Sequence, residues 1–211
     1  MSPTPPAPQG SAGGHASPPG LREHSKAKRR RAIQQAALRL FAERGYEATT
    51  IADIADAAEV APRTVTGYFP SKVELATSYG DEVAERITSA FDCHPEADFL
   101  SALWHWLDEE ERLVDQQTSA LALAMYDADR SLGAIGNVAL TQALDAGTTA
   151  LARELGLPAE SPLVNACAAA VIAVSNTYLH AIMRGEQTSE LREWTSNYLR
   201  ILVKAAAPGE S

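Results

Sequence analysis

The chain has 211 residues, of which 45% are hydrophobic and 6% aromatic, and its formal net charge is −9. Abundant alanine and scarce β-branched or aromatic runs favour an all-α fold, and the length suits a small head joined to a larger body. Two cysteines are too few for a disulfide-stapled scaffold, and the net charge excludes a uniformly basic nucleic-acid binder.

The charge is unevenly distributed along the chain. Residues 21–72 contain ten Lys or Arg and six Asp or Glu, a net +4, whereas residues 73–211 carry a net −13. A basic head on an acidic body attracts phosphates in one orientation and repels them in others. The overall negative charge is therefore compatible with nucleic-acid binding by the head.

Residues 1–20 are predicted to form a disordered tail. They hold six prolines and four glycines, and they cannot bury enough apolar surface to offset their ordering entropy. They lack the basic start and apolar stretch of a secretory signal, and we identify no run of about 18 apolar residues that would span a bilayer. These features predict a cytoplasmic protein with reduced thiols and no membrane partner.

Three helices are predicted in the head. The first covers residues 25–44, where apolar residues recur at i, i+4, i+7 and i+8 from Ile33, and Gly45 ends it in a left-handed conformation. Two short helices follow. Their predicted spans are 51–57, opened by an N-cap at Thr50 with Asp53 in the acidic third position, and 62–67, opened by Pro62. A turn at 58–60 joins them, and this is the trihelical helix-turn-helix, whose second short helix enters the major groove.

Six further helices are predicted beyond the head. Ser71 and Glu74 form a capping box that opens the first of them. The others follow from helical apolar spacing and from Gly or Pro breaks such as Pro95 and Gly133. The predicted spans are 71–91, 97–117, 118–130, 134–155, 161–184 and 188–206.

Five stretches of the head carry a family resemblance. They are AALRLFAERGY at 36–46, TTI at 49–51, DIA at 53–55, RTV at 63–65 and YFPSK at 68–72. In these motifs the segment 26–80 resembles the TetR (tetracycline-repressor) family of transcriptional regulators. The resemblance implies a homodimer, with a four-helix interface made by the last two long helices, that binds a palindromic operator in double-stranded DNA. It also implies repression relieved by a small-molecule effector, with no cofactor.

The resemblance suggests a division of the chain into four parts. These are the tail 1–20, the helix-turn-helix domain 21–72 with its linking helix 71–91, the ligand-binding and dimerisation domain 73–206, and the tail 207–211.

The chain departs from the family pattern around the turn and the recognition helix. Glu59 stands where the family usually has Gly, which costs about 1 kcal/mol if that position needs a positive φ. Thr66 replaces a common aromatic phosphate contact, and Tyr68 stands where His is frequent. Gly67 weakens the helix by roughly 1 kcal/mol relative to Ala. These changes leave the predicted fold intact.

The candidate DNA contacts lie in and around the recognition helix. Arg63 sits in its first turn, where a guanidinium can pair bidentately with guanine O6 and N7. Lys72 places a cation at a helix start, which is unfavourable for the helix dipole and favours a nearby phosphate. The predicted DNA-binding residues are Arg30, Arg31, Thr50, Arg63, Thr64, Thr66, Tyr68 and Lys72. Each is also compatible with a structural role as a solvated surface residue, a helix cap or a ring packed on the first helix.

The last two helices are the candidate dimer interface. Residues 166–181 are apolar nearly all round, so that helix should be buried on several sides. The final helix carries an amphipathic stripe at Leu191, Trp194, Tyr198, Leu202 and Ala205. An ordinary intramolecular core is the alternative for both helices.

A lipophilic or aromatic effector is expected in the body, because ligand pockets are mostly apolar with a few polar groups. The candidate ligand-binding residues are Trp104, His105, Met125, Tyr126, Asn176, His180 and Met183. Such residues at helical spacing also fit an ordinary core, and Trp106 is assigned to the core because it shares a face with Phe99 and Leu103.

Enzymatic and metal functions find little support. The pair Cys93-His94 lacks a second pair of ligands, and the carboxylate run 108–111 is interpreted as a solvated helix face. We find no phosphate-cradling Gly-rich loop and no nucleophile elbow, so no catalytic or metal residue is predicted. Two other functions stay open: a DNA-binding regulator without small-molecule control, and a helix-turn-helix used for protein contacts.

Overall fold

A computed structural model describes residues 19–92 and 97–207, and within these ranges the chain forms nine α-helices and no strand. The all-α prediction is therefore confirmed. The helices are α1 (Pro19–Arg44), α2 (Ile51–Ala57), α3 (Pro62–Tyr68), α4 (Lys72–Asp92), α5 (Phe99–Leu113), α6 (Gln116–Ala128), α7 (Arg130–Leu155), α8 (Pro162–Arg184) and α9 (Ser189–Ala206).

Parts of three predictions fall outside the described residues. These parts are residues 1–18 of the N-terminal tail, the segment 93–96 with Pro95 and the Cys93-His94 pair, and residues 208–211 of the C-terminal tail. The last two residues assigned to the N-terminal tail, Pro19 and Gly20, belong to α1.

The local signals of the head are confirmed. α1 ends at Arg44, and the next residue, Gly45, has a φ of +86°. α2 opens with the predicted capping box: the Asp53 N–H donates to Thr50 Oγ1 at 3.1 Å, and the Thr50 N–H donates to Asp53 Oδ2 at 2.8 Å. The side-chain and backbone hydrogen bonds from Thr50 hold the pKa of Asp53 below its usual value. Both short helices thus form where their caps predict them.

Glu59 occupies the tight turn between α2 and α3 with a φ of +54°. The turn is closed by the Val60 N–H, which donates to the Ala55 carbonyl at 2.9 Å. Among the described residues, Glu59 is the non-glycine residue with a left-handed conformation, at the position where glycine was expected.

Replacing Glu59 with glycine is expected to raise the free energy of unfolding by about 0.5 to 1 kcal/mol, because glycine removes the left-handed strain but adds disorder to the unfolded chain. Chemical denaturation of the full chain measures the change. Glu59→Ala is the matched control, since it keeps a Cβ at a positive φ. An equal gain in the alanine variant would contradict the backbone explanation.

α4 links the head to the body. It packs along α7 and also contacts α1 and α5, and its buried residues run from Leu75 to Phe91. The remaining helices close around this axis, with α9 on α8 and α6 on α1. The head core contains the residues expected from helical spacing, all of them buried: Ile33, Ala37, Leu40, Phe41, Ile54, Val65 and Phe69.

Several predicted helix boundaries are wrong. α1 begins at Pro19 rather than at 25, and α5 ends at Leu113 rather than at 117. At two further boundaries an aspartate cap decides where the helix starts. α6 begins at Gln116 rather than at 118, because Asp115 accepts hydrogen bonds from the N–H groups of Gln117 and Thr118 at 3.0 and 3.2 Å. The predicted break at Gly133 lies inside α7, which starts after Asp129. A capped helix start outweighs the modest helix penalty of one glycine.

Candidate nucleic-acid interface and internal cavity

α3 has one face in the core and one face outward. Val65 and Phe69, just beyond its end, are buried, which fixes the rotation of the helix against the head. Arg63 and Thr66 are exposed, and the Thr66 hydroxyl donates to the Arg63 carbonyl at 3.3 Å. Thr64 and Tyr68 are half-buried. The outward face therefore offers one guanidinium and short hydroxyls in the first turns of the helix.

Arg30 and Arg31 of α1 contact α4. The Arg30 guanidinium is ion-paired with Glu82 and lies 4.7 Å from the centre of the Phe69 ring. Arg31 Nη1 is 3.8 Å from the second Glu82 oxygen. Their contact with phosphate stays a prediction, and the contacts observed here join α1 to α4.

Lys72 has partners in the loop that precedes α2. Its Nζ donates to the carbonyls of Tyr46 and Thr49 at 2.9 and 3.2 Å, and it lies 4.1 Å from the centre of the Tyr46 ring. These carbonyls explain a cation at a helix start without a phosphate. Lys72→Ala would also remove these bonds, so it is a poor probe of DNA contact.

An internal cavity of about 70 Å³ lies between α4, α5, α7 and α8. Most of its wall is apolar, and its polar lining residues are Thr148, Ser175 and Asn176. Asn176 is exposed, whereas Ser175 is buried. The apolar wall includes Val83, Ile87, Phe91, Phe99, Leu103, Trp106, Leu140, Leu144, Leu151, Val171, Ile172 and Leu179.

Of the seven candidate ligand-binding residues, Asn176 is the one that lines this cavity. Trp104 instead packs edge-on against Tyr178, with ring centres 5.6 Å apart, beneath the Arg192 guanidinium. The other five lie elsewhere: Met125 and Met183 are buried, His105 and His180 are exposed, and Tyr126 lies beside Gly80 of α4. Burial and nearby Asp81 raise the pKa of Tyr126 to about 12.

Trp106 lines the cavity and also belongs to a buried polar network. Its Nε1–H donates to Glu110 at 3.1 Å, one turn further along α5. Arg86 of α4 donates to both oxygens of Glu110, at 2.5 and 2.9 Å. Burial alone would lower the pKa of Arg86, but the hydrogen bonds and charge of Glu110 outweigh it and raise that pKa.

The carboxylate run 108–111 is therefore not a uniformly solvated face, which corrects the prediction. Glu110 is buried because α5 turns this side toward α4. Asp108 and Glu111 are half-buried and pair with Arg192 of α9, at 2.6 and 3.4 Å. Within residues 19–92 and 97–207, we find no group of three or more His, Cys, Asp or Glu side chains that could hold a metal ion.

Sequence reasoning missed Ser175 and Thr148 and assigned Trp106 to the core alone. A signal for Ser175 was present, because it lies four residues after Val171 and four before Leu179 on a buried helical face. A hydroxyl at such a position is unusual in a dry core. Nothing local in the sequence indicates that α7 and α8 leave a space there.

α8 is long and apolar enough to span a membrane by length and composition, and it is the one such helix in the described part of the chain. The expectation that no segment reaches this length is therefore wrong. Half of its apolar stretch is buried inside the fold, as in the core helix of a protein that does not span a membrane.

The similarity to known proteins is clearest in the head. The family described as bacterial regulatory proteins, tetR family, matches residues 33–79. The chain is 39% identical over 77 residues to the transcriptional regulator TcmR of Streptomyces glaucescens, covering 36% of this chain and 34% of TcmR. It is 33% identical over 117 residues to the repressor KstR of Rhodococcus jostii, covering 54% and 55%. The matches thus span about a third to about half of these relatives.

Solved structures share the overall fold. Thermus thermophilus FadR, a TetR-family repressor in complex with lauroyl-CoA, superposes with a TM-score of 0.51 at 22% identity, covering 86% of this chain and 97% of FadR. Salmonella enterica GusR gives a TM-score of 0.56 at 19% identity, covering 84% and 96%. The head, residues 33–79, therefore matches the tetR family of bacterial regulatory proteins, and the chain as a whole shares the fold of these solved structures.

Proposed function

We propose that this protein is a transcriptional repressor that binds a palindromic DNA operator as a homodimer and leaves it when a small lipophilic or aromatic ligand enters the body. The observation that carries the proposal is the outward face of α3, held by two buried residues on a head whose sequence matches a family of DNA-binding regulators. Its relatives are regulators rather than enzymes, and a cytoplasmic location is part of the proposal.

The head supports base readout by Arg63. Its side chain is exposed in the first turn of α3, where recognition helices contact base edges. Thr64, Thr66 and Tyr68 follow Arg63 along α3, and Thr50 caps α2. These four residues are proposed to position the head on phosphates, since phosphate contacts fix register and base contacts specify sequence.

Arg63→Ala is expected to weaken binding to a selected operator by about 1 to 3 kcal/mol for each bound head, because each head loses one bidentate base pairing. The operator is obtained by selecting bound duplexes from a random library with the purified protein. Titration of that duplex and a scrambled one measures the change.

Arg39→Ala is the matched control, since Arg39 is exposed on α1 but borders the groove between the head and α6. Equal losses on both duplexes for Arg63→Ala would remove that residue from base readout. Failure of the wild-type chain to bind any duplex at low salt would overturn the proposed function.

The homodimer is supported by an exposed apolar surface on α9. α9 packs on α8 through Leu199 and Val203 but leaves Trp194, Tyr198 and Ile201 exposed. The rings of Trp194 and Tyr198 lie 4.4 Å apart and form a continuous patch. Large exposed apolar patches mark interaction sites, and this patch follows the predicted interface helices.

Ligand control is supported by the way α4 joins the cavity to the head. Val83, Ile87 and Phe91 of α4 line the cavity, while Glu82 of the same helix holds Arg30 and Arg31 of α1. A ligand that widens the cavity would displace α4 and change the spacing of the two heads. Half-sites one helical turn apart tolerate little change in that spacing.

The cavity volume also favours a second candidate, a DNA-binding regulator without small-molecule control. About 70 Å³ is well below the usual 300–1,000 Å³ of ligand sites, so a drug-sized ligand has to move the walls. Compounds that bind the body but leave operator affinity unchanged would support this alternative.

A further inference from the structure

The cavity contains one polar group that the fold leaves without a partner. Ser175 is 4% exposed, lines the cavity from α8, and its Oγ makes no hydrogen bond within the described residues. Serine and threonine hydroxyls inside helices commonly donate to the carbonyl four residues earlier. Thr148, which also lines the cavity, does so: it donates to the Leu144 carbonyl at 2.9 Å.

An unpaired buried hydroxyl destabilises the protein on its own, because it has lost its hydrogen bonds to water and gained none in return. A group that enters the cavity and bonds to Ser175 would recover that loss. The hydroxyl therefore marks the position at which the cavity distinguishes a polar atom from a methylene.

The rest of the wall limits the charge of the ligand. The described lining residues include no Asp, Glu, Lys, Arg or His. A carboxylate or phosphate buried there would lack a counter-charge, and burying an unpaired charge is far more costly than burying a carbonyl. Asn176 is the exposed lining residue and places the mouth of the cavity beside α8.

We infer that the cavity binds an uncharged, mainly apolar molecule through one hydrogen-bond acceptor, such as a carbonyl oxygen, that receives a hydrogen bond from the Ser175 hydroxyl. The inference rests on the proposed function for its regulatory meaning, but the site itself can be tested without DNA. The requirement for an uncharged ligand distinguishes this cavity from one that binds an acyl phosphate or a free fatty acid.

Three probes of similar shape test the inference on the full chain: cyclohexanone, methylenecyclohexane, which lacks the acceptor, and cyclohexanecarboxylate, which is charged. The six-membered ring is larger than the cavity of about 70 Å³, so each probe has to displace the walls, and the probes differ in the group that they offer to Ser175. Binding is followed by protein-observed NMR titration. Wild-type protein is expected to bind cyclohexanone more tightly than the other two. Ser175→Ala should weaken cyclohexanone binding by about 2- to 10-fold, the range for one net hydrogen bond, and leave methylenecyclohexane unchanged or tighter.

Thr148→Val is the matched control, because the Thr148 hydroxyl already has a partner in its own helix. It should leave the preference for cyclohexanone in place. Thermal unfolding adds a second measurement, in which Ser175→Ala should melt at the same temperature as wild type or higher, since it removes an unpaired polar group.

Several results would overturn the inference. They are failure of all three probes to bind, equal affinity for the carboxylate and the ketone, an equal loss in both variants, or a clearly lower melting temperature for Ser175→Ala. Operator binding measured on the same samples separates the two proposals, because its loss would count against the regulator and leave the cavity result standing.

Discussion

Replacing Glu110 with alanine is expected to lower the free energy of unfolding by about 3 to 5 kcal/mol, the range for breaking a buried ion pair by removing one partner. Glu110 is 1% exposed and accepts hydrogen bonds from Arg86 and Trp106. Its loss leaves the Arg86 guanidinium, itself largely buried, without a counter-charge between α4 and α5. Denaturant unfolding of the full chain measures the change.

Two variants separate the ion pair from simple loss of side-chain volume. Glu109→Ala removes a neighbouring carboxylate from the same helix and should change stability by no more than about 0.5 kcal/mol. The double variant Arg86→Met with Glu110→Leu should recover part of the loss, because it removes the unpaired charge but leaves the buried Trp106 Nε1–H without its acceptor. If the double variant is as unstable as Glu110→Ala, unpaired charge is not the cause.

Replacing Ile201 with arginine is expected to weaken self-association of the chain by at least about 100-fold. Ile201 is 63% exposed, on the face of α9 that also carries Trp194 and Tyr198. In a homodimer the substituted position occurs twice, so the change introduces two cations into an apolar contact, and unpaired charges in a buried interface cost several kcal/mol. Sedimentation equilibrium over a range of concentrations measures the dissociation constant.

Val73→Arg is the matched control, because Val73 is also an exposed branched apolar residue but lies at the start of α4, next to the head and away from α9 in the chain. It should leave self-association unchanged. The same weakening in both variants would indicate a general effect of added charge, and a wild-type chain that is monomeric at every concentration would remove the dimer from the proposed function.

The head was more predictable than the body because its signals are local. The Thr50 box, the proline at the start of α3 and the glycine after α1 each act within one turn of their own position. They fixed α2 to the residue, whereas a positive φ at Glu59 was raised by the family resemblance rather than by these signals. Short-range hydrogen bonds and dihedral preferences suffice for such decisions.

The cavity was not predictable by the same means. Its position depends on how α4, α5, α7 and α8 rotate against one another, and helical spacing defines an apolar face without naming the helix that covers it. Trp104 and Trp106 illustrate the difficulty, since they are two residues apart and face different neighbours. The burial of Glu110 was unpredictable for the same reason, because a run of carboxylates is interpreted as a solvated face unless the arginine that packs opposite it is known.

The contacts between α1 and α4 affect how the head could be transferred to another protein. Gln34 of α1 is fully buried and donates to Ser78 Oγ at 2.9 Å and to Glu82 at 3.1 Å. A chimaeric repressor that took only the residues up to 72 would leave this amide facing an unrelated surface. A graft that keeps its DNA specificity therefore has to carry the first three turns of α4 along with the recognition helix.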